Sequence, residues 1–399
     1  MSPTRNFIVR LAALAAVLFL GFRYFVPPSS TYRCPGSASP LQAPVHNPPS
    51  PHGSFVTPPR STPKANATFL IFAYNADLER TIRAVRSLED RFNMHHRYPY
   101  VLLSPEPFTP EFKRRLRVLT PSPIEFGLIP QDEWIQPEGI DEARAQAVRE
   151  RMVKEKIMYG GSVEWRNKAR YMSGKVWAHE MLTKYKWAWR VEPGVGLTCD
   201  VLVDPLLWLE KSGKVVGFTL AMKEDEKTAD SLWDYTKDFM TRYPQHLATD
   251  NSLAFISDRR GQEYNLCSYL SGILVTDMDF FRSPAYSAFY NYLNTKGGFY
   301  YERWSDASVL TLAASVLLKR KQVHLLEDIG FQYGAYSRCP KSADVWENGR
   351  CACGQSTRFN DGSESCEKIW KDFMSLADRF GPPPAPPARA EGQGILKGF

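Results

Sequence analysis

Apolar residues recur along this chain with two spacings, and the alternation between them predicts its elements. "ATFLIFAY", from Ala67, is a continuous apolar run suited to a strand buried in a parallel sheet. "NADLERTIRAVRSLEDRF" follows with Leu78, Ile82, Val85, Leu88 and Phe92 at helical spacing and an Asn/Asp start to cap it. "YPYVLLS" reads as the next strand, and "TPEFKRRLRVL" as a helix capped by Thr109 with Pro110 in its first position. Strand, helix, strand, helix in that order predicts an α/β sheet of parallel character. Residues 142–185 read as mostly helical, "KYKWAWRV" as an aromatic strand, "DPLLWLEKSG" as a helix stopped by Gly213 and "KVVGFTL" as a strand. "GILVTDMDFFRSPAYSAFYNYLN" reads as strand, turn and helix, and no internal repeat or heptad run interrupts the series.

The ends follow other rules. Leu11 to Phe22 is unbroken apolar sequence, and Phe7 to Val26 gives roughly 20 residues if Arg10 and Arg23 snorkel, enough to span a bilayer. Arg5 and Arg10 precede the run, which predicts a cytosolic N-terminus with the remainder in the lumen. No small-x-small cleavage site follows, which favours an uncleaved anchor over a signal peptide. From Pro27 to Lys64 the chain is too rich in Pro, Ser and Thr to bury a core, and from Gly381 it ends in the polar, proline-rich "GPPPAPPARAEGQGILKGF". The expected organisation is a cytosolic tail (1–6), a signal-anchor helix (7–26), a stem (27–65), a folded luminal head (66–380) and a disordered tail (381–399).

Composition sharpens this picture at three points. The 43% hydrophobic content of 399 residues supplies a sizeable core, while a formal charge of +7 is modest and gives no reason to expect nucleic acid. The cluster Lys113, Arg114, Arg115, Arg117 has Glu111 beside it and no interleaved aromatics, the mark of a solvated helix face. Cys34, Cys199, Cys267, Cys339, Cys351, Cys353 and Cys366 suit an oxidising compartment, as does the sequon at Asn66; the C-x-C spacing favours disulfides over zinc at the C-terminal four.

Two stretches carry candidate chemistry. "WRVEPGVGLTCD" leads one acid, Glu192, out of an aromatic strand and fixes it with a proline. A buried acid needs a partner. An arginine such as Arg190 would make Glu192 structural; a hard divalent ion shared with phosphate oxygens would make it functional. In "GGFYYERWSDASVL", Glu302 and Asp306 lie four apart, so a helix would set both on one face, with Tyr300, Tyr301 and Trp304 as sugar-bracketing rings. The plainer reading is a helix N-terminus with acids on its dipole and Arg303 ready to pair.

The order and wording of "SLEDRFN", "YPYVLLSPEPFTPEFKRR", "YGGSVEWRNKARYMSG", "YKWAWRVEP", "GFTL", "DMDFFR", "GGFYYERWSDA" and "VHLLEDIG" closely resemble glycosyltransferase family 15, the fungal Golgi α-1,2-mannosyltransferases, over about Thr68 to Trp370. The resemblance implies a GT-A type α/β fold, with a mixed, largely parallel central sheet flanked by helices and preceded by one transmembrane helix. It implies a type II protein of the Golgi membrane that moves mannose from GDP-mannose to mannosyl acceptors on glycoproteins with Mn²⁺ as cofactor. Glu192 stands at the metal-binding glutamate of the family's "EPD" block. Glu302 matches the acid of "YERWGDAP", proposed as nucleophile or as the carboxylate shielding the anomeric centre, and Asp306 follows it as a second catalytic acid. Arg166, Trp165, Tyr74 and Asn75 are implied on the donor side.

The departures from that pattern matter too. Gly194 stands where the family has aspartate, Trp165 where it has tyrosine, and Tyr74 where it commonly has arginine. Ser268, Leu270, Gly272 and Leu274 replace polar or aromatic side chains expected near the acceptor. The usual second metal ligand, a histidine near the final "SC", is absent, leaving Asp361 or Glu364 as stand-ins. These changes leave room for altered acceptor choice, or for a weakened or inactive paralogue acting as a glycan-binding or assembly subunit; retention of Glu192, Glu302, Asp306 and Arg166 favours an enzyme.

Overall fold

The computed structural model describes residues 63–258, 261–355, 359 and 362–380, all within the unit that begins at Pro59. Its centre is a seven-stranded sheet of β1 (Ala67–Phe72), β2 (Tyr100–Ser104), β3 (Ile124–Leu128), β4 (Trp187–Val191), β5 (Val216–Phe218), β6 (Ile273–Asp277) and β7 (Val323–Leu325). The spatial order is β7-β5-β6-β4-β1-β2-β3. Strands β1 to β4 run parallel, β5 and β7 are parallel to each other, and β6 lies antiparallel between β4 and β5. The sheet is therefore mixed and largely parallel.

Burial follows the pleat. Phe69 and Ile71 of β1 with Trp187, Trp189 and Val191 of β4 pack on one face against α1 (Leu78–Leu88), α2 (Pro110–Arg117) and α5 (Pro205–Lys211). Leu70 and Phe72 of β1 with Ala188 of β4 face the other core, shared with α3 (Glu142–Lys154), α4 (Val163–Ser173), α6 (Leu232–Arg242), α7 (Pro284–Thr295), α8 (Asp306–Leu317) and α9 (Glu367–Phe380). Helix α8, "DASVLTLAASVL", is apolar nearly all round and buried along its length, so it is the central helix of that second layer. Of the caps read from sequence, Thr109 Oγ1 accepts from Phe112 N at 3.1 Å. At α1, by contrast, the Asp77 carboxylate accepts from Tyr74 N at 3.2 Å, fastening the exit of β1 instead of the helix end.

Among the described residues, disulfides join Cys199 to Cys351, Cys267 to Cys366 and Cys339 to Cys353. Among the described residues no helix is long and apolar enough to cross a membrane; the expected anchor, and the stem as far as residue 62, lie outside them.

Candidate active site

Chain direction fixes where the site lies. Strand order reverses between β1 and β4, which are parallel neighbours, and in open α/β sheets ligands settle at the carboxyl ends of strands at such a point. Tyr74 and Asn75 follow β1 there, and Glu192 follows β4. Arg190 and Glu192 have the same parity, so both side chains leave β4 toward α4 and α8.

Glu192 is 5% exposed. Its Oε1 accepts from Arg190 Nη2 at 2.8 Å and Nε at 3.3 Å, and its Oε2 accepts from Lys168 Nζ on α4 at 2.5 Å. Burial alone would raise the carboxyl, but Lys168 and Arg190 outweigh it and hold it down at about 2. The Arg190 guanidinium also meets the Asp306 carboxylate, so one buried arginine joins both acids. The turn after Glu192 closes with Val195 N donating to Glu192 O at 3.1 Å, Pro193 second and Gly194 third at φ +96°, as a type II turn requires.

Three segments surround this end of the sheet. Lys168 Nζ lies 4.8 Å above the Phe72 ring, and Tyr74 stands edge-on to that ring at 5.3 Å. Burial pushes the Tyr74 phenol up, with the charges of Glu164, Asp77, Glu106 and Glu192 adding to it. Asn75 is engaged with the loop after β2: its Nδ2 donates to Glu106 Oε1 and Pro107 O, each at 3.0 Å, and its Oδ1 accepts from Thr109 N at 2.9 Å. Trp165 carries the Arg303 guanidinium on one ring face at 4.4 Å and stacks against Tyr159.

Glu302 and Asp306 do not share a helix. A four-residue turn, Gly298–Tyr301, ends at Glu302, whose φ of −135° and ψ of −140° leave the helical region, and Ser305 then caps α8. The break aims Glu302 separately: its Oε1 accepts from Ser231 Oγ at 2.5 Å and Ser231 N at 3.2 Å, and its Oε2 from Trp304 Nε1 at 2.7 Å. Arg166 is fully buried and serves backbone carbonyls: Nε donates to Glu302 O at 3.1 Å, and Nη1 to Gly160 O at 2.8 Å and Ser162 O at 2.9 Å. Burial, then Arg149 and Arg303, lower its guanidinium to about 10. Helix α4 thus sends Arg166 to the backbone of one acid and Lys168 to the carboxylate of the other.

Of the segment flagged for acceptor contacts, Gly272 does reach the site: Glu192 N donates to its carbonyl at 2.9 Å, and a Cβ there would meet Glu192 Cγ at 3.3 Å. Ser268, Leu270 and Leu274 are buried. Glu364 is exposed, its carbonyl taking Lys223 N at 2.9 Å, while Asp361 lies outside the described residues. Among the described residues, the cluster of three potential metal ligands with mutually close donor atoms is Cys199, Cys351 and Cys353, whose sulfurs are in disulfides. Both oxygens of the carboxylate at the switch point are taken by cationic side chains, Oε1 by the buried Arg190 and Oε2 by the more exposed Lys168, so a divalent ion there would meet the charge of Lys168.

Sequence reasoning missed Lys168, Ser231 and Trp304 as partners of the two acids. Only Arg190 had a usable signal, its i, i+2 spacing from Glu192 in a strand.

The mixed α/β sheet, with Glu192 at its switch point and Glu302 held separately, is shared in sequence and fold with known glycosyltransferases. Residues 40–375 match the profile described as glycolipid 2-alpha-mannosyltransferase. The glycolipid 2-alpha-mannosyltransferase 2 of Candida albicans is 37% identical over 313 residues, 78% of this chain and 68% of the relative. The alpha-1,2 mannosyltransferase KTR1 of Saccharomyces cerevisiae is 36% identical over 324 residues, 81% of this chain and 82% of the relative. Core-mannan synthase A from Aspergillus fumigatus, solved in a Mn/GDP form, aligns with TM-score 0.73 and 29% identity over 78% of this chain and 85% of that one. The S. cerevisiae mannosyltransferase Ktr4p, solved with GDP, aligns with TM-score 0.74 and 33% identity over 78% and 82%. The chain belongs to glycosyltransferase family 15, the glycolipid 2-alpha-mannosyltransferases.

Proposed function

We propose that this chain is a GT-A type, retaining α-1,2-mannosyltransferase that moves mannose from GDP-mannose to mannosyl acceptors on glycoproteins, whether N-linked glycans, O-linked glycans or cell-wall mannan. Its relatives' structures with GDP, one of them also with Mn, support GDP-mannose as donor and Mn²⁺ as cofactor. The observation that carries the reading is Glu302, an acid held on both oxygens by Ser231 and Trp304, with its backbone carbonyl fixed by the fully buried Arg166.

The stereochemistry assigns the work. GDP-mannose is α-linked and so is the product, so a carboxylate must meet the face of C1 opposite the departing diphosphate, as nucleophile or as shield for an oxocarbenium-like state. Glu302 is that group. Asp306 acts through Arg190, holding the guanidinium beside Glu192, and is a positioning residue. Tyr74, Asn75 and Trp165 line the donor side, with Arg166 fixing the Glu302 backbone behind them. A bound divalent ion would neutralise charge on the leaving GDP. The apolar N-terminus supports anchorage as a type II protein of the Golgi membrane, with residues 66–380 as the luminal catalytic domain.

The test is transfer by the full-length protein in detergent from GDP-mannose to methyl α-mannoside with Mn²⁺. An α-1,2-linked dimannoside that stops forming with chelator is expected. GDP binding without any product across mannoside acceptors would instead make the chain a binding subunit.

A further inference from the structure

The two cations on Glu192 are not equivalent. Arg190 is 2% exposed and locked between Glu192 and Asp306, so it cannot leave without abandoning two buried carboxylates. Lys168 has a side chain 25% exposed, reaches the carboxylate from helix α4 on a flexible four-carbon stem, and lies over the ring of Phe72. Its ammonium lies 2.5 Å from Oε2, on the oxygen that Arg190 leaves free. A small hard divalent ion would bind that oxygen at about 2.1 Å. An ammonium and a divalent ion on one carboxylate oxygen would repel each other at close range, so each weakens the other's hold on Glu192.

Resting on the reading of Glu192 as the metal carboxylate, we propose that Lys168 is a tethered cation competing with the divalent ion for Glu192. When the ion enters, Lys168 is released toward the diphosphate of the donor. The chain thereby keeps its buried acid neutralised without an ion, at the expense of metal affinity. A lysine ammonium is a point charge well suited to phosphate oxygens, and the diphosphate is the anionic part of a GDP-mannose donor. The exchange breaks the Lys168–Glu192 ion pair and would form one metal–carboxylate bond, with Lys168 keeping its proton and no covalent bond changing.

The experiment measures Mn²⁺ binding to the full-length protein by the loss of the free-ion electron paramagnetic resonance signal, and GDP binding at saturating Mn²⁺ by calorimetry. K168M is expected to bind Mn²⁺ about tenfold or more tighter than wild type, because an opposing charge has gone, and to bind GDP several-fold more weakly once the ion is in place. K168R, which keeps the charge, should hold Mn²⁺ as weakly as wild type, separating charge from simple loss of packing. Equal Mn²⁺ affinity in wild type and K168M, or GDP binding indifferent to K168M, overturns the proposal. E192A serves as the control for the underlying reading: if it binds Mn²⁺ as wild type does, Glu192 is not the metal carboxylate, and the proposal falls with that reading and not through Lys168.

Discussion

Trp304 donates its indole Nε1–H to Glu302 Oε2 at 2.7 Å from two residues further along the chain, with its own ring fully buried. A ring anchored in the core therefore fixes the direction of the acid. W304F removes the donor while keeping an aromatic side chain, so kcat should fall about tenfold with KM for GDP-mannose nearly unchanged, the split of an interaction that matters at the transition state. Steady-state kinetics read both parameters, and a loss confined to KM would move Glu302 away from the reacting carbon.

Asp306 and Glu192 share one buried arginine. D306N leaves that guanidinium with half its compensation, and breaking a buried pair from one side costs on the order of 3 kcal/mol. Urea denaturation should show the loss as a lower midpoint with unchanged slope. A variant as stable as wild type would mean that Asp306 is there for chemistry and not to hold Arg190.

The carboxyl of Glu192, held at about 2 against an ordinary 4.5, ties stability to acid pH. Its folded value is depressed, so its contribution is present above 4.5 and is lost as pH falls toward about 2. Wild type should therefore lose stability more steeply than E192Q through that window, by an amount on the order of 3 kcal/mol. Parallel stability curves for the two proteins across the window would contradict the pairing with Lys168 and Arg190.

Cys267 and Cys366, both fully buried, close a loop of 99 residues and tie the strand Cys267–Tyr269 to the start of α9. Replacing both with serine releases that loop in the unfolded chain and should cost about 4 kcal/mol. Chemical denaturation of the oxidised wild type against the double variant measures it.

Much of the scaffold was legible because its residues answer to local rules. "ATFLIF" and "YVLLS" are apolar on both faces and became β1 and β2, while Thr109 and Pro110 started α2 as capping chemistry requires. The antiparallel course of β6 was not legible, since "ILVTD" has no local mark of its direction; its partners lie in strands distant in sequence. The "GGFYYERWSDASVL" stretch misled for a related reason. Spacing by four implies one helical face only if the helix continues, and here the chain breaks at Glu302 so that Ser231 and Trp304 can hold the acid. Glu192 was visible as an acid in need of a partner. That Lys168 would share it with Arg190 depends on how α4 crosses the sheet, which pairwise spacing does not encode.

The most direct test of the account is the linkage made by wild type and by E302Q from GDP-mannose and methyl α-mannoside, read by NMR of the new anomeric proton. Wild type should yield an α-1,2 mannosidic bond, and E302Q should bind GDP normally yet turn over at least about a hundredfold more slowly. A β-linked product, or wild-type turnover in E302Q, would contradict a retaining transfer carried by that carboxylate.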